Sequence, residues 1–81
     1  MQQAYIRDRV FSILYKELEV KEDHIQMGSH LMNDLGADSL GSVEIVLCME
    51  DEFDIIIPDE KIDEINYVED IVRVVGDLLE R

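Results

Sequence analysis

Residues 34–53 read DLGADSLGSVEIVLCMEDEF, and this stretch decides the fold because a turn-forming segment passes directly into a helical pattern. Glycine at position 36 favours a turn, and both Asp38 and Ser39 are residue types preferred at the N-cap of a helix. From there, apolar residues recur at helical spacing as far as Phe53. We therefore predict a helix that begins at Asp38 or Ser39 and ends near Phe53.

The predicted helix carries two apolar faces, whereas a helix packed on one side needs only one. At about 100° per residue, one face holds four residues that can fill a core, namely Ile45, Val46, Met49 and Phe53. Leu40, Val43 and Leu47 fall nearly opposite, with acidic residues between the two faces. Either the loop or the first helix covers this second face, or it is a partner surface with apolar anchors inside an acidic rim. We favour the partner surface.

Three further helical segments are predicted. A first helix from about residue 3 to 18 follows from apolar residues at helical spacing, namely Ile6, Val10, Ile13, Leu14 and Leu18. Pro58 is expected to open a short helical turn near Asp59 to Asp63. Asn66 and Glu69 have the spacing of an N-cap and its capping-box partner. They precede the apolar stripe of a last helix, namely Val68, Ile71, Val72, Val75 and Leu79.

Two connecting segments complete the predicted fold. Residues 20–38 show no sustained periodicity, and three apolar residues are expected to attach this long loop to the core, namely Ile25, Leu31 and Leu35. The isoleucines at 55–57 have no second strand to pair with, so we predict a buried connector. The whole chain, 1–81, is then a single all-α domain: a small four-helix bundle (three longer helices, one short) with a long first loop.

The chain is strongly acidic. Among its 81 residues, Asp and Glu number 20 against 7 Lys and Arg, which gives a formal net charge of −13. Such a surface repels nucleic acid and anionic membranes and attracts proteins with basic patches. Between residues 34 and 64, acids outnumber bases eleven to one, which indicates an acidic face. We expect a monomer with protein partners and no nucleic-acid partner.

Cysteine usage and hydropathy favour a cytoplasmic protein. The single cysteine, Cys48, cannot make an internal disulfide. Acidic neighbours raise the pKa of a thiol, so we expect Cys48 to be a passive residue. The Met1 end shows no continuous apolar region typical of a signal peptide, and no apolar run approaches the roughly 20 residues that span a bilayer.

Several chemistries are conceivable for Ser39. Gly36 and Gly41 stand in the wrong frame for the G-x-S-x-G nucleophile elbow. A triad of Ser39 with His30 and Asp34 is formally possible, but we favour solvated loop positions for both histidines of the chain. The His and Cys residues match no zinc pattern, and the acidic run DEFDIIIPDE lacks the central glycine of a calcium loop. A phosphate carried by a serine at a helix N-terminus would be stabilised there, although any capping serine shares that environment.

Residues 34–40, DLGADSL, resemble the phosphopantetheine attachment motif of acyl carrier proteins. The likeness continues through residues 43–46, 50–53 and 57–60. The resemblance implies that a phosphopantetheinyl transferase moves 4'-phosphopantetheine from coenzyme A onto Ser39, with Asp38 beside it. The terminal thiol of this arm then carries acyl groups as thioesters. The carrier itself is expected to be a substrate and shuttle, and not an enzyme.

The resemblance also implies a docking face for partner enzymes with basic patches. Besides the transferase, the expected partners are the ketosynthase, acyltransferase, reductases and dehydratase of fatty acid synthesis. The predicted partner-binding residues are Leu40, Val43, Glu44, Leu47, Glu50, Asp51, Ile57 and Asp59.

Two positions depart from the family pattern. Gly41 stands where many members have an acid, and Tyr67 stands where a threonine often caps the last helix. A specialised carrier for a polyketide, aminoacyl or modified-lipid pathway therefore remains an alternative to fatty acid synthesis. A less favoured alternative is an acidic interaction or cation-binding protein in which Ser39 is unmodified.

Overall fold

The chain folds into four α-helices that enclose an apolar core. The computed structural model describes residues 2–80, apart from the side chains of residues 2, 3 and 22. The helices are α1 (Gln2–Leu18), α2 (Ser39–Phe53), α3 (Asp59–Ile62) and α4 (Val68–Leu79), and a 3₁₀ turn at Glu22–His24 interrupts the first loop. This confirms the predicted helical class, with three longer helices, one short helix and a long first loop. None of the described helices is long and apolar enough to cross a membrane.

α1 and α4 supply one half of the core. Ile6, Val10 and Leu14 follow one another at four-residue spacing along α1 and are buried, as the periodicity predicts. α4 packs against both α1 and α2, so its buried face is wider than a single stripe. For that reason Val74 is buried in addition to the predicted valines. The prediction for Leu79 is wrong, because this last residue of α4 is 40% exposed.

α2 supplies the other half of the core. Its buried residues are the four on the predicted core face, namely Ile45, Val46, Met49 and Phe53. Arg9 of α1 reaches across to α2 and donates two hydrogen bonds to Glu52, from Nε at 3.0 Å and from Nη2 at 3.1 Å. These bonds hold the pKa of the Glu52 carboxyl below its ordinary value. The pair is partly exposed, so it orients the two helices more than it stabilises them.

The segment 55–58 between α2 and α3 has no regular secondary structure. Asp54 adopts a left-handed conformation, with φ 55° and ψ 51°, and ends the helix. The three consecutive isoleucines of this segment do not all face the core. Ile57 is 3% exposed, whereas Ile56 is 83% exposed. The prediction of a buried connector is therefore correct for Ile57 and wrong for Ile56.

The long first loop is fastened to the beginning of α4. Ile25, Leu31 and Leu35 are buried, which confirms them as the residues that attach the loop to the core. The carbonyl oxygens of Met27 and Ser29 accept hydrogen bonds from the first N–H groups of α4, at 2.9 and 3.0 Å. The loop thus takes the place of a capping side chain for that helix.

The N-cap of α4 lies one residue later than predicted. Tyr67 occupies the N-cap position and makes no capping hydrogen bond with its side chain. Instead, Asp70 Oδ2 accepts the N–H groups of Asn66 and Tyr67, at 3.0 and 2.9 Å. The predicted pairing of Asn66 with Glu69 is wrong, because the loop carbonyls already satisfy the N–H groups of Val68 and Glu69.

Candidate functional site

Asp38 is the N-cap of α2, which settles the choice between Asp38 and Ser39. Asp38 has extended backbone angles, φ −88° and ψ −173°, and its Oδ1 accepts the N–H of Gly41 at 2.7 Å. Its carbonyl oxygen accepts the N–H of Ser42 at 2.9 Å and so begins the helical hydrogen bonding. Since the aspartate performs the capping, Ser39 is not a capping serine.

Ser39 is exposed as the first residue of α2. Across residues 2–80, no hydrogen bond engages the Ser39 hydroxyl or the N–H groups of Ser39 and Leu40. The positive end of the helix dipole lies at this point. A phosphate bonded to the serine oxygen would therefore meet free donors and a favourable field.

The backbone that precedes Ser39 is anchored to the core by buried residues. Leu35 and Ala37 are buried, with 7% and 4% of their surfaces exposed. Between them Gly36 has φ +77°, a left-handed conformation that glycine adopts without strain. The Ala37 N–H donates to the carbonyl oxygen of Leu31 at 2.9 Å. The exposed Asp38–Ser39 pair is thus presented by anchored neighbours.

The glycine at position 41 fits closely against the cap. A Cβ atom built there would lie 3.2 Å from Asp38 Oδ1, the atom that accepts the Gly41 N–H. A larger residue would have to displace the cap carboxylate by a few tenths of an ångström. Glycine at position 41, where the resemblance would suggest an acid, thus leaves room for the 2.7 Å hydrogen bond from its N–H to Asp38 Oδ1.

His30 and Asp34 cap a turn of the loop. His30 Nδ1 accepts the N–H groups of Met32 and Asn33, at 3.2 and 3.1 Å, and Asp34 Oδ2 accepts the His30 N–H at 2.7 Å. The His30 ring also packs edge-on against Tyr67, with ring centroids 5.0 Å apart. Both histidines lie in the loop, as predicted, and His24 is exposed, but His30 is half-buried and caps this turn. Asp34 bonds the backbone of His30, which is a capping arrangement and not that of a triad.

The outer face of α2 is uncovered in the described structure. Leu40, Val43 and Leu47 are 66%, 53% and 57% exposed, so neither the loop nor α1 covers them. Glu44 and Asp51 are also exposed. Exposed apolar side chains beside acids are the surface chemistry expected of a docking face for basic partners.

A groove of about 340 Å³ continues this face beyond the end of α2. Its lining includes Val43 and Leu47 from α2, Ile56 from the connector and the exposed Asp59 of α3. Sequence reasoning missed Ile56, because it treated the three isoleucines together as a buried connector.

Two of the predicted partner-binding residues have structural contacts of their own. Ile57 is 3% exposed but lines the groove beside the exposed Ile56, so its part in docking stays a prediction. Glu50 is half-buried, and its Oε2 accepts the Ile57 N–H at 2.7 Å.

Two further features border α2. Burial, followed by the nearby carboxylates of Glu17, Asp51 and Glu44, raises the pKa of the Cys48 thiol, so Cys48 is suited to a passive role. On the core side of α2 lies an apolar cavity of about 30 Å³, where the Ser42 side chain faces aliphatic residues. This volume admits only one or two water-sized groups.

Residues 2–80 contain no cluster of three or more His, Cys, Asp or Glu that could hold a metal ion.

Comparisons with known proteins agree with this geometry. The family model for the phosphopantetheine attachment site matches residues 8–75. An acyl carrier protein of Chlorobium luteolum is 42% identical over 72 residues, which cover 89% of this chain and 92% of that protein. An acyl carrier protein of Chlorobium phaeovibrioides is 40% identical over the same coverage. A protein with a phosphopantetheine attachment site carries its cargo on the attached phosphopantetheine. The helical fold and the exposed serine at the start of α2 fit such a role.

Proposed function

Because the chain belongs to the acyl carrier protein family, whose prosthetic group is phosphopantetheine, we propose that Ser39 Oγ is the atom that bears this arm. The observation that carries the proposal is that Asp38, and not Ser39, caps the start of α2. Asp38 caps the helix, at 2.7 Å from the Gly41 N–H. Ser39 is thereby left with an exposed hydroxyl beside the N–H groups that a phosphate can use.

In the attachment reaction, Ser39 Oγ forms a bond to the phosphorus nearest the pantetheine of coenzyme A. The pyrophosphate bond breaks, adenosine bisphosphate leaves, and the serine proton passes to a base. We propose that the partner transferase supplies that base, because His30 and Asp34 are engaged with backbone groups of their own turn. Once attached, the arm supplies a thiol that holds acyl groups as thioesters.

The protein is then a shuttle and a substrate of other enzymes. The exposed apolar residues of α2 and their acidic neighbours support docking to enzymes with basic patches, the transferase first among them. We propose the enzymes of fatty acid synthesis as the further partners and the cytoplasm, where coenzyme A is available, as the location. The relatives named acyl carrier protein support this pathway.

Loading by a transferase tests the proposal directly. The purified protein is incubated with coenzyme A, magnesium and a broad-specificity phosphopantetheinyl transferase, and its intact mass is measured. Wild type should gain the mass of one phosphopantetheine, and Ser39→Ala should gain none. Ser42→Ala is the matched control, since Ser42 lies one turn further along the same helix, and it should be loaded like wild type. An unchanged wild-type mass, or loading of the Ser39→Ala variant, would contradict the proposal.

A further inference from the structure

Glu50 accepts hydrogen bonds from three backbone N–H groups at the end of α2. Its carbonyl oxygen accepts the N–H of Asp54, which ends the helix, and the N–H of Ile55 at 3.1 Å. Its carboxylate Oε2 accepts the N–H of Ile57 at 2.7 Å. One residue therefore fixes both the last turn of α2 and the path of the segment that follows.

The bond to Glu50 holds the backbone of the isoleucine that faces the core. Ile57 is 3% exposed, and its N–H would lose a partner in a buried position without Glu50. While Ile57 is held inward, its neighbour Ile56 faces outward and is 83% exposed. Pro58, with φ −61°, then leads into α3. A large apolar side chain is thus presented to solvent by a specific hydrogen bond.

We propose that Ile56 is a docking anchor and that Glu50 is the residue that positions it. The proposal rests on the carrier function proposed above. The occupant to which we commit is a basic surface of the loading transferase, with an apolar side chain that enters the groove lined by Val43, Leu47 and Ile56. The exposed Asp59 also lines that groove, so a lysine or arginine beside the apolar side chain would complement its charge.

The distance from Ser39 to Ile56 is short enough for one partner protein to contact both residues. α2 has 15 residues and is therefore about 22 Å long at 1.5 Å per residue. A standard interface covers about 800 Å² on each partner, which is wide enough to include both the N-terminus of α2 and the connector beyond its C-terminus. An enzyme that acts on Ser39 and lies along α2 therefore reaches Ile56.

Steady-state kinetics of the same transferase, with the apo protein as the varied substrate, tests the proposal. Ile56→Ala removes only an exposed side chain, and we expect KM to rise about fivefold or more with kcat unchanged, as for uniform binding. Leu79→Ala is the matched control, an exposed apolar residue at the far end of α4, and should leave KM unchanged. An unchanged KM in Ile56→Ala overturns the anchor.

Two substitutions at Glu50 separate position from charge. Glu50→Gln removes the charge but keeps an oxygen acceptor for the Ile57 N–H, whereas Glu50→Ala removes both. We expect Glu50→Ala to raise KM as much as Ile56→Ala does, and Glu50→Gln to restore most of the loss. Amide hydrogen exchange at Ile57 should be fast in the alanine variant and slow in the glutamine variant. If glutamine is as poor as alanine in KM, Glu50 acts as a charge and the positioning role is wrong.

The double variant Glu50→Ala/Ile56→Ala sharpens the test. If Glu50 acts through Ile56, the double variant should bind no worse than Ile56→Ala alone, because the positioned side chain is already absent. Additive losses would contradict the positioning role. Failure of the carrier function is distinguishable from all of these outcomes, since it would leave wild type itself unloaded.

Discussion

α2 and α4 each have an aspartate near the N-terminus. The two helices differ in how many of their first N–H groups donate hydrogen bonds. In α4, all four are satisfied: Asp70 Oδ2 accepts from Tyr67, the loop carbonyls accept from Val68 and Glu69, and the Tyr67 carbonyl accepts from Asp70. In α2, Asp38 accepts from Gly41 alone among these groups, and within residues 2–80 Ser39 and Leu40 donate to nothing.

This difference separates a junction closed by hydrogen bonds from one that keeps free donors. At α4 the donors join the long loop to the helix, and their hydrogen bonds are part of the folded state. At α2 a minimal cap starts the helix and leaves donors beside an exposed serine. Helix N-termini with free donors attract phosphate, so the open start of α2 fits an attachment site and the closed start of α4 does not.

The largest loss of stability is expected from Asp70→Ala. The substitution removes the acceptor for two backbone N–H groups and an ion-pair partner of Arg73 at 3.3 Å. Losing a cap costs about 1–2 kcal/mol, which corresponds to roughly 5–15 °C in melting temperature for a domain of this size. Thermal unfolding followed by circular dichroism measures it.

Asp77→Ala is the control for that experiment, because Asp77 is an exposed acid on the same helix. It should stay within about 0.5 kcal/mol of wild type. If both alanine variants melt together with wild type, the bonds to Asp70 do not hold the junction.

The contribution of Asp70 should also depend on pH. Burial alone would raise its pKa, but the N–H groups of Asn66 and Tyr67 and the charge of Arg73 lower the pKa below the ordinary value of 3.8. A carboxyl whose folded pKa is depressed stabilises the fold above its unfolded pKa and loses that effect as pH falls through the folded pKa. The stability difference between wild type and Asp70→Asn should therefore be full near pH 7 and shrink below about pH 4.

Denaturant unfolding of both proteins between pH 7 and pH 3 checks this. Taking the difference between the two proteins removes the general effect of titrating the other acids. A difference that grows as the pH falls would have the wrong sign for a depressed pKa.

A smaller loss is expected from Asp38→Ala, because one hydrogen bond is removed at α2 and two are removed at α4. We expect about 1 kcal/mol, or roughly 4–8 °C in melting temperature. Asp38→Asn keeps an acceptor for the Gly41 N–H and should recover most of the loss, since asparagine and aspartate are similar N-caps. Equal losses at Asp38 and Asp70 would remove the distinction between the open and the closed helix start.

The smallest effect is expected at the turn that His30 caps. His30→Ala removes the acceptor for the Met32 and Asn33 N–H groups, at a cost of about 0.5–1 kcal/mol. His30→Ser supplies a hydroxyl acceptor and should recover the cap but not the ring contact with Tyr67. Faster amide exchange at Met32 and Asn33 in the alanine variant, and slower exchange in the serine variant, is the expected result. No change in exchange would show that the turn does not need this cap.

Sequence reasoning was successful where the information is local. The sequence predicts that α2 begins at Asp38 or Ser39 and ends near Phe53, and the structure has Asp38 as the N-cap and Phe53 as the last helical residue. The outer face of α2 was predictable because Leu40, Val43 and Leu47 exceed what one buried stripe requires. The family resemblance is likewise carried by contiguous residues, and the comparisons confirm it.

The errors concern hydrogen bonds that residue preference and periodicity do not reveal. The N-cap of α4 was misplaced because carbonyl groups of the loop, some 40 residues earlier in the sequence, satisfy donors that a local cap would otherwise need. His30 is an uncommon cap, so residue preference did not indicate its role. The fixing of Ile57 by Glu50 spans seven positions, which neither helical nor strand periodicity reveals.

Intact mass and peptide mapping of the protein purified from its own cells test the central claim most directly. We expect a protein that carries one phosphopantetheine, free or acylated, on the peptide that contains Ser39. The mass of the acyl group would also identify the pathway that uses the carrier. A protein that is unmodified in cells with an active transferase, or one modified at a residue other than Ser39, would contradict the assignment of the open start of α2 as the attachment site.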